Sequence, residues 1–170
     1  ERRVERFLRE ARSAGLLTHP NIVAVFDSGT DGPHHYIASA FVEGQTLPEE
    51  KTEPQRAAEI VRKLAEALAY AHKTGIVHRD VKPSNVMLRS DGEPLLMDFG
   101  LAVRADEEKL TVEGQVLGTP AYIAPEQWRG QATPASDQYA LGCVLFRLLT
   151  GRTPFAGKDL LDLMQQHAQD

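Results

Sequence analysis

Apolar positions along the chain switch repeatedly between helical and extended spacing. Val4, Phe7, Leu8 and Ala11 fall on one face at intervals of three and four, with Arg and Glu on the other, which predicts a first helix. His19-Pro20-Asn21 ends it, since proline cannot continue a helix and drives its predecessor into extended geometry. Residues 22–26 and 36–41 read as two short strands around the turn-forming run Ser28-Gly29-Thr30-Asp31-Gly32-Pro33, a candidate hairpin. The strongest helical signal covers 53–73, where Ala57, Ile60, Val61, Leu64, Leu68 and Ala71 form one stripe. Pro54 suits its first turn and Gly75 its stop.

Two very short strands, 86–88 and 94–97, flank Ser90-Asp91-Gly92. Residues 98–125 show little periodicity and read as one long loop, a length that marks function or disorder in a compact domain. Residues 135–150 are apolar nearly all round and predict a helix buried in a core, and 159–166 begin another. A small strand-bearing piece thus precedes a mainly helical one. Between them lies the polar run His78-Arg79-Asp80-Val81-Lys82-Pro83-Ser84-Asn85, at the place where a cleft is expected. By itself that run is either solvated turn chemistry or a preorganised site for phosphate.

Charge and composition narrow the classes. A length of 170 residues fits one domain, and a net charge of −5 offers no basic footprint for nucleic acid. No apolar run reaches the ~18 residues of a membrane span and no signal-peptide pattern opens the chain, so this segment is expected to be cytoplasmic without membrane contact, any tether lying elsewhere. Cys143 is the single cysteine, which excludes an internal disulfide and favours a reducing compartment; its apolar helix makes it a buried structural thiol. His34-His35 lacks the second pair of ligands a metal site would need. The chain starts on Glu1 inside one helical pattern and ends on Asp170 inside another, so a fragment of a longer protein is expected.

Three further runs appear in order: Asp98-Phe99-Gly100, then Gly118-Thr119-Pro120-Ala121-Tyr122-Ile123-Ala124-Pro125-Glu126, then Ser136-Asp137-Gln138-Tyr139-Ala140-Leu141-Gly142. With residues 78–85 they resemble the catalytic-loop, metal-loop and activation-segment signatures of protein kinases. The texture, including Pro125-Glu126-Gln127, is similar to bacterial serine/threonine kinases of eukaryotic-like type, over essentially the whole chain. The resemblance implies an α+β, two-lobed fold, with a partial small lobe at 1–42 (a helix, two strands and a hinge) and a partial helical large lobe at 43–170. It implies transfer of the ATP γ-phosphate, with Mg2+, to Ser or Thr hydroxyls of protein substrates, and a kinase homodimer for trans-autophosphorylation.

Phosphoryl transfer needs an oriented hydroxyl, an in-line phosphate and neutralised charge. The resemblance gives Asp80 the hydroxyl proton and Lys82 the transferring phosphate, while Asn85 and Asp98 supply the hard oxygen ligands that suit magnesium. Gly100 allows the sharp turn after Asp98 and Phe99. By the same resemblance His78 is expected to pack with Phe99 and Asp137 and to be structural. Lys82 and Thr119, the latter similar to the threonine that bonds the catalytic Asp and Lys, point to Ser/Thr acceptors. Ser39 becomes the gatekeeper, and the hinge runs from Ala40 to Val42, with backbone groups of Ala40 and Val42 on adenine. Ser39 is smaller than the usual gatekeeper and Ala40 replaces a common Glu, which implies a deep adenine pocket that admits bulky ATP analogues. Glu10 takes the position that pairs the ATP-binding Lys; alternatively it is one charge of a solvated face with Arg2, Arg3, Arg6 and Arg12. Arg79 and Thr111 are read as a switch in which a phosphate on the loop meets Arg, with Glu113 adding fixed charge; alternatively Thr111 is an ordinary loop residue.

The chain departs from the pattern at both ends. The glycine-rich loop and its Lys would precede Glu1, and the Arg that pairs Glu126 would follow Asp170, leaving a buried carboxylate whose exposure to unpaired burial costs several kcal/mol. The stretch 47–57 is short, so the helix below the hinge is shortened or absent. Residues 1–170 alone are therefore expected to bind ATP poorly and turn over slowly. A pseudokinase scaffold is the non-enzyme alternative, disfavoured by the presence of Asp80, Asn85 and Asp98 together. A small-molecule phosphotransferase is disfavoured by the block from Gly118 to Glu126.

Overall fold

Helix α1, Pro54–Lys73, is the element on which the others lean in a computed structural model that describes residues 11–99 and 120–169. Ala57, Ile60, Leu64, Ala67, Leu68 and Ala71 are all buried, the stripe that three- and four-residue spacing requires. The Glu53 carboxylate accepts from the Arg56 N–H at 3.0 Å and Pro54 opens the first turn. At the other end Gly75 takes φ 81°, its N–H donates to the His72 carbonyl at 2.9 Å, and the Ile76 N–H donates to the Ala71 carbonyl at 3.0 Å. This Schellman closure stops the helix and feeds the chain directly into 78–85.

Helix α2, Pro134–Thr150, packs on α1 through Ala140, Leu141, Cys143, Val144 and Leu148. Burial all round, the expectation from its composition, holds for only part of the surface: Leu145, Phe146 and Leu149 are half-buried and Gly142 is exposed. The apolar excess instead meets short 3₁₀ turns at Pro120–Tyr122 and Pro125–Arg129. Helix α3, Leu160–Gln169, covers those turns with Leu163 and His167. The predicted first helix is described only over 11–14, where it is helical; Val4, Phe7 and Leu8 lie outside the described residues.

Strands β1, Val25–Asp31, and β2, His34–Ser39, form an antiparallel hairpin. The turn shrinks to Gly32-Pro33, with Gly32 at φ 55°, because a two-residue hairpin loop needs a positive φ that glycine adopts freely. Ser28 to Asp31 therefore join the strand rather than the turn. Ile22, expected in that strand, instead bridges Leu96 in parallel; the Val23 N–H donates to the Leu96 carbonyl at 2.8 Å and the Leu96 N–H to the Asn21 carbonyl at 2.9 Å. A second antiparallel sheet has the order β3-β4-β5, from Gly44–Thr46, Val86–Arg89 and Pro94–Leu96. Strand β3 has no apolar alternation to announce it. Gly44 is required there: a Cβ would fall 2.1 Å from the Leu88 carbonyl oxygen. Residues 47–53 carry no helix, in line with the short spacing read from the sequence.

Burial lowers the pKa of His167, whose Nδ1 is hydrogen-bonded to the Tyr139 hydroxyl at 2.6 Å and whose ring meets Phe155 at 4.6 Å. The unfolded chain takes up a proton near pH 6.5 where the folded one resists it, so this group's contribution is complete above that pH and is lost below it. Urea midpoints at about pH 7.5 and about pH 5.5 are expected to differ less in His167→Gln than in the unaltered chain. An equal drop in both would assign the acid sensitivity elsewhere.

Candidate active site

The run 78–85 leaves α1 and drops at once into the core. His78 is fully buried, and its ring packs against Phe99 with centroids 4.5 Å apart. Its Nε2 lies 3.0 Å from the Met97 carbonyl, which only accepts, so Nε2 carries the proton. Nδ1 then accepts from the Asp80 N–H at 3.3 Å. Burial lowers the His78 pKa, against the pull of the Asp137, Asp80 and Asp98 charges, and the ring is neutral.

Beneath the loop sits Asp137 of α2, 1% exposed. Its Oδ2 accepts from the His78 N–H at 2.8 Å, its Oδ1 from the Arg79 N–H at 2.8 Å, and Nε2 of His72 on α1 lies 2.7 Å from Oδ2. Arg79 has φ 72°, a left-handed conformation that costs a non-glycine residue about 1–2 kcal/mol. Its carbonyl accepts from Nε2 of Gln127 at 2.9 Å, so both of its backbone polar groups are held by side chains from other elements.

Asp80 follows. The Asn85 amide donates to both the Asp80 carbonyl and Asp80 Oδ2, each at 2.8 Å, and Lys82 Nζ lies 2.7 Å from the same Oδ2. A 3₁₀ turn over Pro83–Asn85, opened by proline, aims the buried Asn85 inward. The Asn85 carbonyl in turn accepts from the Met97 N–H at 3.0 Å, which brings the exit of β5 alongside and delivers Asp98 to the same place. Asp98 has φ 62°. Its carboxyl pKa is raised, first by burial and then by the Asp80 charge, with His78 and Lys82 opposing. The residue keeps an exposed surface.

Because both protons of the Asn85 amide are used on Asp80, its Oδ1 is the atom left to accept. The Asn85 amide oxygen and the Asp98 carboxylate are both hard oxygen donors, and the Asp80 charge adds to the raised pKa of Asp98. These donors fit magnesium, which keeps most of its waters and takes few protein ligands. Among the described residues no three His, Cys, Asp or Glu gather into a fuller metal cage.

Other expected site residues are placed differently. Ser39 ends β2 on an exposed surface, and Ala40 and Val42 follow as partly buried connecting residues. The Ala40 N–H donates to the Ala24 carbonyl at 2.8 Å. Glu10, Gly100, Thr111, Glu113 and Thr119 lie outside the described residues. Glu126 is only partly buried, and the Ser136 hydroxyl donates to it at 2.5 Å, so it is neither fully buried nor without a hydrogen-bond partner. Cys143 is buried, and burial pushes its thiol up to about 11, which makes it inert at neutral pH. Sequence reasoning missed His72 and Gln127. His72 carried no signal beyond its place near the end of α1. Gln127 did, since it stands three residues after Ala124 with Pro125 between, the spacing of a capping box.

A family model described as Protein kinase domain matches residues 1–170. The serine/threonine-protein kinase PrkC of Bacillus subtilis is 44% identical over 172 residues, covering 98% of this chain and 26% of that protein. The serine/threonine-protein kinase PknB of Mycobacterium leprae is 43% identical over 176 residues, covering 97% of this chain and 28% of that protein. The chain thus spans about a quarter of the length of these curated relatives. It belongs to the protein kinase domain family, as the order of its motifs implied, and its mixed helix and strand is the α+β fold of that family, whose members generally use ATP and Mg2+.

Asp137→Asn exchanges one acceptor oxygen for an amide that must face the His78 and Arg79 N–H groups or His72. At least one buried donor then loses its partner, which costs about 1–3 kcal/mol. The expected urea midpoint is correspondingly lower; an unchanged midpoint would show that these hydrogen bonds contribute nothing net.

Proposed function

We propose that this chain carries the phosphoryl-transfer site of a serine/threonine protein kinase, which moves the γ-phosphate of ATP to Ser or Thr hydroxyls of protein substrates. The observation that carries this reading is the shared loading of one Asp80 oxygen: the Asn85 amide and the Lys82 ammonium both bind Oδ2, which leaves Oδ1 to accept a proton. A substrate hydroxyl donates to Oδ1, its oxygen bonds to the γ-phosphorus, and the bond from phosphorus to the ADP oxygen breaks as ADP leaves. Lys82 serves the transferring phosphate, to which a compact flexible ammonium adapts. Magnesium, when bound, neutralises the charge on the β- and γ-phosphates. Asn85 Oδ1 and the Asp98 carboxylate would hold it.

The same reading divides the chain at 42/43 into small-lobe and large-lobe portions, with Ser39, Ala40 and Val42 against adenine, Glu10 at the position that pairs the ATP-binding Lys and Thr119 beside Asp80 and Lys82. Its partners are proteins bearing Ser or Thr acceptors, and a second kinase copy for trans-autophosphorylation. The net charge of −5 gives no support to nucleic acid as a partner. No helix among the described residues is long and apolar enough to cross a membrane, and the site is read as working in the cytoplasm. Arg79 and Thr111 form the switch that phosphate on the loop would set.

In the intact protein, transfer of the terminal ATP phosphate to a Ser/Thr protein substrate is expected to fall by about 10²- to 10⁴-fold in Asp80→Asn, the range lost with a general base. Near-normal transfer by that variant would overturn the assignment. Incubation with ATP is expected to place phosphate on Thr111, read by mass spectrometry of the loop peptide. An active enzyme with Thr111 unmodified would remove the switch while leaving the transfer site standing.

A further inference from the structure

One side chain near the site is spent on two backbones at once. Gln127 Oε1 accepts from the Ala124 N–H at 3.0 Å, closing the first turn of Pro125–Arg129, and its Nε2 donates to the Arg79 carbonyl at 2.9 Å. The second bond reaches across 48 residues to the strained φ 72° position that immediately precedes Asp80. Asp137 holds the N–H of that residue and Gln127 holds its carbonyl. A left-handed non-glycine residue persists only where its surroundings over-determine it, and these two bonds restrain this one on both sides. Rotation at residue 79 would swing the Asp80 carboxylate directly, since the two are adjacent in the chain.

We propose that Gln127 is a positioning residue for phosphoryl transfer: it fixes the peptide between Arg79 and Asp80 and so makes the aim of the Asp80 carboxylate depend on the placement of residues 124–129. The proposal rests on the reading of Asp80 as the group that accepts the substrate proton. The segment that follows the activation loop then reports its own seating to the catalytic loop through the Gln127 amide. Glutamine suits this work because the group must accept at one end and donate at the other. A carboxylate accepts at both ends, and an aliphatic chain does neither.

That asymmetry supplies the test. Gln127→Glu keeps an acceptor for the Ala124 N–H and sets a carboxylate against the Arg79 carbonyl, whereas Gln127→Leu removes both bonds. In the intact protein, with protein substrate and ATP, both variants are expected to lose about 10- to 100-fold in kcat, as a misaimed catalytic group does, with the KM for ATP nearly unchanged. Relative to the unaltered enzyme at the same pH, Gln127→Glu is expected to recover as pH falls and its new carboxyl gains a proton to donate. If Gln127 only caps its own turn, Gln127→Glu keeps wild-type kcat at every pH, and the proposal is overturned. A loss confined to KM, or a deficit that ignores pH, overturns it as well. Should Gln127→Leu fail to fold, as its urea midpoint would reveal, Gln127→Glu decides alone. Asp80→Asn in parallel separates the two claims: if it abolishes transfer while Gln127→Glu leaves kcat intact, only the positioning role falls.

Discussion

The carboxylate of Asp137, at 1% exposure, is the point on which the loop above it depends. Taking one carboxylate out of water costs several kcal/mol, and an unpaired one would not survive there. Three donors meet it: two consecutive backbone N–H groups, each at 2.8 Å, and a histidine nitrogen at 2.7 Å. Hydrogen bonds to a charged group contribute about 1.5–3 kcal/mol each, enough together to offset the burial. The residue also joins elements, since it stands on α2, takes His72 from α1 and fixes the backbone that leaves α1. The packing of the two helices, whose buried faces include Leu64, Val144 and Leu148, therefore places the loop.

Two residues on that loop and its neighbour sit in left-handed conformations, Arg79 at φ 72° and Asp98 at φ 62°. Each costs about 1–3 kcal/mol, and each is flanked by an anchor. At Arg79 the anchors are Asp137 and Gln127. At Asp98 they are the Met97 N–H bound to the Asn85 carbonyl and the buried Phe99 against the His78 ring. Strain at two points and restraint on both sides of each is how a short polar segment keeps two carboxylates together without relaxing into an ordinary turn.

Much of this was legible because it follows from local rules. The stripe of α1, the proline at its start and the glycine at its stop are periodicity and capping, and the order of short motifs between 78 and 142 carried the family. What was not legible depends on distant partners. Strand β3 is three exposed residues defined only by what they pair with, and the boundary of β1 moved because a two-residue turn at Gly32-Pro33 lets the pairing run further. The half-exposed side of α2 could not be foreseen either, since its composition reports how apolar the helix is, not how many neighbours arrive to cover it. His72 and Gln127 reach partners 65 and 48 residues away, and only the packing of helices and turns reveals those pairs.

His78 shows which effect wins at the centre. Three carboxylates, those of Asp137, Asp80 and Asp98, pull its pKa up, and desolvation of a fully buried ring pulls it down; desolvation is the largest. The result has a structural use. A neutral ring with its proton on Nε2 donates to the Met97 carbonyl and accepts from the Asp80 N–H, so one side chain ties together the two segments that carry Asp80 and Asp98. A protonated ring would turn an N–H toward the Asp80 N–H and break that tie. The spacing between the carboxylates is therefore held by a group that must stay uncharged among charges, and the burial supplied by Phe99 and the α1–α2 core is what keeps it so.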